Sequence, residues 1–383
     1  MKLNPDINFV KDLMKMGGSS LKKCFQCATC SVVCPLSPDD NPYPRKEMIW
    51  AQWGLKDKLL KDPDIWLCHQ CNDCSINCPR GAKPGEALNA IRNYIFYEYS
   101  TPKFMGKLFT SPVYLPILIA IPIILLYAFL QIPGVLLQPE GEGVVYGNFI
   151  NHLAIEVAGM LLGAYVIVVA LISFYKYWKA IGMSSGMVYE VERGLEGKTT
   201  MKAGGFWYEF WNALRLILKH SRFAECSENK YRYYAHLGAF YGFILLGIST
   251  LGAVAYMYLL GVKELALPVY DPVKIIGNIG FLLIFGGMTW IVYTRLANSD
   301  RAGKPSYQDW FFITDLYLVI ITGILMEILR FANAAEIAYP LYMVHLVLVF
   351  MLLAYAPYSK FAHLMYRGLA YMHARKTGRL VEK

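Results

Sequence analysis

The chain has 383 residues, of which 56% are hydrophobic and only 17% charged, a balance that excludes an ordinary soluble protein of this size and implies a bilayer. Its net charge of +9 is not organised as a basic stripe interleaved with aromatic residues. That argues against a nucleic-acid partner and for membrane-flanking loops as the home of the excess Lys and Arg.

The first part, residues 1–100, is polar and rich in cysteine. Lys2, Leu3, Asn4, Pro5 and Asp6 follow Met1 with no apolar signal segment, so this part is expected to stay in the cytoplasm. Eight cysteines form two copies of C-x2-C-x2-C-x3-C-P: CFQCATCSVVCP and CHQCNDCSINCP. Three closely spaced thiolates wrap one face of a [4Fe-4S] cube, and the fourth, held away by its spacing and the proline, reaches the other cube. The expected ligands are therefore Cys24, Cys27, Cys30 and Cys78 on one cluster, and Cys68, Cys71, Cys74 and Cys34 on the other. Structural zinc favours separated pairs of ligands, and disulfides are disfavoured in the cytosol, so both fit the two runs badly. Cys226 has no partner in the pattern and reads as a bystander, and His69 reads as a residue flanking a cluster. After Pro44, the positions of Met48, Ile49, Trp53, Leu55 and Leu59 suit a helix between the motifs.

Beyond residue 100, apolar runs of spanning length predict six membrane helices, over 111–132, 150–175, 234–260, 272–295, 309–331 and 339–365. Residues 101–175 thus hold the first two spans, 176–233 a basic loop, 234–366 the last four spans and 367–383 a tail. The loop carries Lys176, Lys179, Arg215, Lys219, Arg222 and Arg232; Arg295, Arg301 and Lys304 follow the fourth span. The opposite connections hold Glu140, Glu142 and a lone Lys263. The positive-inside rule then puts both termini in the cytoplasm of a multi-pass protein of the inner membrane. Within the loop, residues 204–220 place Phe206, Phe210, Leu214 and Ile217 on one helical face, which suits either the membrane surface or a contact with the N-terminal domain.

Ionisable groups in a bilayer need a reason to be there. His152, His236, His345 and His363 all fall on predicted spans, and neutral imidazoles from facing helices can clamp a haem. Depth pairs His236 with His363 near the inner surface and His152 with His345 near the outer one. An unbroken last helix would hold His345 and His363 about 27 Å apart. His220 and His373 lie outside the spans and read as surface residues. No CxxCH occurs, so the haem is expected to be of b type.

The N-terminal stretch, with DPDIWLCHQCNDCSINCPRGAKP, resembles the small iron-sulfur subunit of heterodisulfide reductase. The membrane part resembles the haem b subunits of respiratory nitrate reductase and heterodisulfide reductase. Their fusion is similar to the membrane subunit of the quinone-interacting membrane-bound oxidoreductase complexes of sulfate reducers. This resemblance implies an all-α chain, a helical two-cluster ferredoxin domain followed by a six-helix haem b bundle. It also implies one or two haems, menaquinone, and flavin and iron-sulfur partner subunits, with adenylylsulfate reductase as acceptor. One departure concerns the third span, where the nitrate reductase subunit has a second histidine ten residues on; here that position is Leu246.

The reading that follows is an electron-transfer subunit, with a non-catalytic redox-sensing anchor as the competing class. No GxGxxG or P-loop is present, so substrate chemistry belongs to partners. The quinone site is expected on the outer side. There Glu156, four residues after His152, would take a proton and Lys274 would hydrogen-bond a quinone oxygen. An ion pair between Glu327 and Arg330, with Lys274 snorkelling, is the structural alternative.

Overall fold

The computed structural model describes residues 4–39, 41–137, 143–182, 188–192, 198–202, 205–226, 230–262, 267–298, 302–377 and 379. Glu140, Glu142, Gly204, Lys263 and Arg301 lie outside them. The fold is helical in both parts, with one small antiparallel hairpin, Val188–Glu192 against Lys198–Lys202, in the basic loop.

The N-terminal domain begins with α1 (Ile7–Lys15), whose first turn is capped by Asp6 accepting from the Phe9 N–H at 2.9 Å. The cysteine loops have the same backbone path. Gln26 and Ala28 in the first, and Gln70 and Asn72 in the second, take left-handed φ values of 62°, 69°, 56° and 77°. Non-glycine residues resist that region. Its use at the same offset in both motifs curls each loop tightly, and each then enters a single turn, α2 (Thr29–Val32) in the first. Between the loops lie α3 (Arg45–Gln52), α4 (Lys56–Leu60) and α5 (Asp64–Leu67); after the second come its turn, α6 (Asp73–Ile76), and α7 (Pro84–Tyr99). Helix α7 is buried from Pro84 to Phe96, with Ala90, Ile91 and Ile95 in the core of the domain.

Helix α8 (Lys103–Leu108) leads into the membrane part. Six helices there are long and apolar enough to cross a bilayer, with spans Pro112–Leu130, His152–Ala180, Tyr231–Leu259, Pro272–Ala297, Tyr307–Phe331 and Ala335–Ala354. The helices themselves are α9 (Leu115–Leu130) and α10 (His152–Ala180), then α11 (Phe206–Lys219) and α12 (Ser221–Ala224) in the basic loop, followed by α13 (Lys230–Leu259), α14 (Pro272–Ala297), α15 (Tyr307–Phe331), α16 (Ala335–Ala354) and α17 (His363–Lys376).

The expectation of one last helix over 339–365 is corrected. Helix α16 stops at Ala354, two short 3-10 turns follow, and α17 starts afresh at His363. Pro357 has no N–H to offer the carbonyl four residues back. Ser359 then adopts an extended backbone and caps the next turn by accepting from the Phe361 N–H at 3.3 Å. His345 and His363 therefore belong to different helices, and the single-helix separation does not apply.

Helix α17 leaves the bundle and joins the N-terminal domain, where Tyr366 stacks on Trp66 of α5 with centroids 4.9 Å apart. Helix α11 packs on α17 by its polar side: Glu209 is buried and pairs with Arg375 at 2.8 Å. Its aromatic side faces outward, with Trp207 69% and Trp211 56% exposed. An amphipathic helix turned this way suits the headgroup layer.

A polar seam joins the two parts. Asn89 of α7 donates to Asp309 at 2.7 Å, and Asn93 donates to Ser306 at 3.0 Å. Lys360, in the broken segment, pairs with the same fully buried Asp309.

Helices α13 and α14 touch backbone to backbone through glycines. A methyl group at Gly287 would stand 2.4 Å from the Ala235 carbonyl oxygen, and one at Gly242 would stand 2.6 Å from the Gly280 oxygen. Replacing Gly287 with Leu is expected to force these helices apart and cost on the order of 1–3 kcal/mol, seen as a lower thermal midpoint in detergent. An unchanged midpoint would show that the contact is not as close as described.

Candidate electron-transfer site

The structure brings the eight motif cysteines into two groups of four. One cavity is lined by Cys24, Cys27, Cys30 and Cys78, the other by Cys34, Cys68, Cys71 and Cys74. Each group takes three thiols from one motif and the fourth from the other. Burial pushes the Cys30 thiol up to about 11 and the Cys34 thiol up to about 12, and raises Cys74 as well. Such thiols give up their protons only to a strong positive charge, which iron supplies. Donors are already aimed at sulfur: the Gln70 N–H reaches Cys68 Sγ at 3.2 Å and the Ala82 N–H reaches Cys78 Sγ at 3.3 Å. Thiol number, grouping and sulfur-directed N–H bonds fit two cubes.

The groups differ in exposure. Cys27 is open to solvent, and its cavity is lined by exposed Phe25 and by Arg45 and Arg80, the Arg80 guanidinium lying 4.1 Å from the Phe25 ring centre. Cys68, Cys71 and Cys74 are buried. The first group thus faces outward, and the second faces the helices that lead to the membrane.

Three arginines surround the second motif. Arg92 donates to the Ile65 carbonyl at 2.7 Å and to the Cys68 carbonyl at 2.5 Å. Arg367 donates to the same Cys68 oxygen at 3.1 Å and to His69 Nδ1 at 2.8 Å, and Arg232 donates to the Gln70 carbonyl. Since a guanidinium can only donate, His69 carries its proton on Nε2 and gives it to the Tyr371 hydroxyl at 2.9 Å. Burial and the Arg367 charge keep this imidazole neutral, well below its ordinary value.

Cys226 is not the bystander expected of it. It is 1% exposed and shares a hydrogen bond with Cys71. This bond lowers Cys71 and raises Cys226, so the Cys226 S–H is the donor.

Beside the second group lies a nest of imidazoles. The His236 and His363 rings are 6.2 Å apart between centroids, at 82° to one another. Two metal–imidazole bonds of about 2 Å, plus roughly 1 Å from each nitrogen to its ring centre, require about 6 Å. The Lys360 carbonyl accepts from His363 Nδ1 at 2.6 Å, which fixes the tautomer and leaves Nε2 as the ligating atom. His236 is half-buried, and its Nδ1 is shielded from solvent without a hydrogen-bond partner among the described residues. By spacing and tautomer this pair could hold a haem iron between its two rings. His220, expected at the surface, is instead 8% exposed, with its ring 4.9 Å from His236. His373 is likewise largely covered.

The outer residues are arranged differently from the expectation. His152 is exposed at the start of α10, while His345 turns Nδ1 towards Thr322 Oγ1 at 2.8 Å, so the structure does not bring these two imidazoles together. Glu156 accepts from the Tyr258 hydroxyl. Lys274 is ion-paired with Glu327 at 2.7 Å and does not snorkel alone. Arg330 donates to the Leu267 carbonyl at 2.9 Å and does not pair with Glu327.

Six spanning helices below two four-cysteine cavities define a multi-pass membrane protein with an iron-sulfur electron-transfer domain. The 4Fe-4S dicluster domain family matches residues 20–82, and the citrate utilization protein B family matches residues 108–381. The second match covers most of the chain, which belongs to the citrate utilization protein B family. Citrate utilization protein B of Escherichia coli is 28% identical over 303 residues, 76% of this chain and 73% of that protein. Over 93 residues the chain is 40% identical to a subunit of the H(2):CoB-CoM heterodisulfide,ferredoxin reductase of Methanothermobacter marburgensis, covering 24% of this chain and 50% of that subunit. Over 99 residues it is 34% identical to the iron-sulfur subunit of the CoB--CoM heterodisulfide reductase of Methanopyrus kandleri, covering 24% and 50%. The chain spans about half the length of these heterodisulfide reductase subunits. No solved structure matches.

The Cys226 contact has a measurable consequence. Cys226→Ala should retain both clusters and lower the midpoint potential of the second by about 40 mV, the equivalent of one hydrogen bond of ~1 kcal/mol in a one-electron couple. Redox titration followed by EPR reads the shift. Loss of the cluster itself would make Cys226 a ligand.

Proposed function

We propose that this chain is the membrane electron-transfer subunit of a quinone oxidoreductase. Its route joins a soluble partner, the first cluster, the second cluster and a quinone in the bilayer, and His236 and His363 are the residues that would hold a b haem between the second cluster and the quinone. The carrying observation is Arg367. It stands one turn after His363 on α17 and holds both the Cys68 carbonyl and His69, so one rigid helix fixes the second cluster relative to the inner imidazole pair. A haem bound there supplies a one-electron carrier between cluster and membrane. The chain's own residues position it: the Lys360 carbonyl orients His363, and Phe223 and His220 pack against His236. A redox-sensing anchor would not need an imidazole pair spaced for a metal beside a cluster.

The cluster domain is proposed to lie on the cytoplasmic side, where the basic loop also falls. Likeness to the heterodisulfide reductase subunits supports flavin and iron-sulfur partners. Two directions of flow follow. In one, menaquinol is the donor and adenylylsulfate reductase the eventual acceptor. In the other, a partner that oxidises an organic acid feeds electrons inward to the quinone. The family match over residues 108–381, together with what the name of the Escherichia coli relative says of that protein, favours the second. An outer haem on His152 and His345 has no geometric support, and Glu156 and Lys274 remain proposed only as residues near an outer quinone.

His363→Ala is expected to remove the low-spin b-haem spectrum while both clusters remain. An unchanged optical spectrum would end the haem assignment. Cys34→Ser should damage the second cluster and spare the first in EPR; the opposite pattern would refute crossed ligation. At the exposed face, the charge reversal Arg80→Glu should slow electron exchange with an acidic soluble partner about tenfold at low salt, with the difference fading as salt rises. A rate insensitive to both would place docking elsewhere.

A further inference from the structure

Asp315 lies on α15, eight residues from the end of the span nearest the cluster domain, about 12 Å along the helix. It is 5% exposed, and its Oδ1 has no hydrogen-bond partner. A carboxyl group buried in a bilayer without a counter-charge is costly and takes up a proton. The other acidic side chains of the spans are differently placed: Asp309 has Lys360, Glu156 has Tyr258, Glu327 has Lys274, and Glu336 is exposed at the start of α16.

Tyrosines stand at the same end of the bundle. Tyr355, just past the end of α16, donates its hydroxyl hydrogen to the Leu118 carbonyl at 2.8 Å. Tyr165 and Tyr358 bond hydroxyl to hydroxyl at 2.8 Å, and Tyr358 donates to the Thr101 carbonyl at 2.8 Å. Tyr358 has one proton, already given to Thr101, so Tyr165 is the donor between them. Thr101 is at the inner boundary, where its Oγ1 accepts from Lys176 at 2.5 Å. The Tyr358 and Tyr165 hydroxyls thus carry polar hydrogens from the side bearing the cluster domain into the bundle that holds the unpaired acid, while apolar side chains fill the rest of that contact between α9, α10, α15 and α16.

We propose that Asp315 is the intramembrane proton carrier for the quinone reaction, loaded from the cluster-domain side past the Tyr358 and Tyr165 hydroxyls. The proposal rests on the quinone reading above. When a quinone takes two electrons from the cluster and haem route, it needs two protons to become the quinol. The Asp315 carboxyl supplies a proton, is left as carboxylate, and regains one from the aqueous phase through the tyrosines; a second cycle supplies the other. Quinol oxidation runs the same steps backwards. Asp315 acts through the proton and is not assigned a contact with the ring.

The test uses the purified full chain carrying its clusters, with a soluble naphthoquinol as the probe. Asp315→Asn should slow naphthoquinol-driven reduction of the clusters roughly 10²-fold, while reduction by dithionite stays unchanged. Asp315→Glu should restore most of the rate, and Tyr165→Phe should enlarge the solvent deuterium isotope effect. Independently of any quinone, the infrared difference spectrum between oxidised and dithionite-reduced wild type should contain a protonated-carboxyl band that vanishes in Asp315→Asn. A wild type with this band but no reaction with naphthoquinol would sink the quinone reading while leaving Asp315 a redox-linked proton site. Absence of the band from wild type, or a wild-type naphthoquinol rate in Asp315→Asn, would overturn the proposal.

Discussion

Two buried guanidinium groups converge on one carbonyl oxygen, that of Cys68, and much of the molecule is arranged around this point. Arg92 comes from the central helix of the N-terminal domain and Arg367 from the last helix of the chain. Among the described residues neither forms a salt bridge. Their charges are met by backbone dipoles, a glutamine, an imidazole and the sulfur ligands of the second group, so an anionic cluster is the counter-charge that makes their burial tolerable. The same field favours electrons on that cluster. Position and charge together make the second group the place where the polar and the membrane-type parts of the chain meet.

The broken segment after α16 makes this convergence possible. Had the last span continued as one helix, Arg367 would have been carried along the bundle axis. The 3-10 turns at Ala356–Tyr358 and Lys360–Ala362 redirect the chain and bring Lys360, His363 and Arg367 to Asp309, His236 and Cys68 in turn. Electron transfer and domain docking therefore depend on the same few residues.

The parts legible in the sequence are those with local signatures. The cysteine spacing anticipated the grouping in the two cavities, because its logic is confined to twelve residues at a time, and hydropathy located six spans. What escaped notice depends on contacts distant along the chain. Arg367 looks like any basic residue of a tail until α17 folds back, and Cys226 looks solitary until its loop reaches Cys71. His220 reads as surface because nothing near it announces a nest of imidazoles. The break at residue 355 did have a signal in Pro357 and Ser359, but an unbroken apolar run outweighed it. Asp315 shares an apolar helix with Asp309 and Glu327, and only its burial without an ion-pair partner sets it apart from them.

The seam between α7 and α15 is built from amides, a serine, a lysine and an aspartate, and beside it the N-terminal domain shares an apolar core with Tyr177 of α10 and Tyr366, Leu369 and Met372 of α17. Carried on one polypeptide, the polar faces meet at an effective concentration set by a short connection. Were the same two parts made as separate chains, these polar groups would have to find their partners from solution against water. Cutting the link between Ser100 and Leu115 would therefore leave the electrical junction to the shared apolar core, with conduction limited by how long the halves stay together.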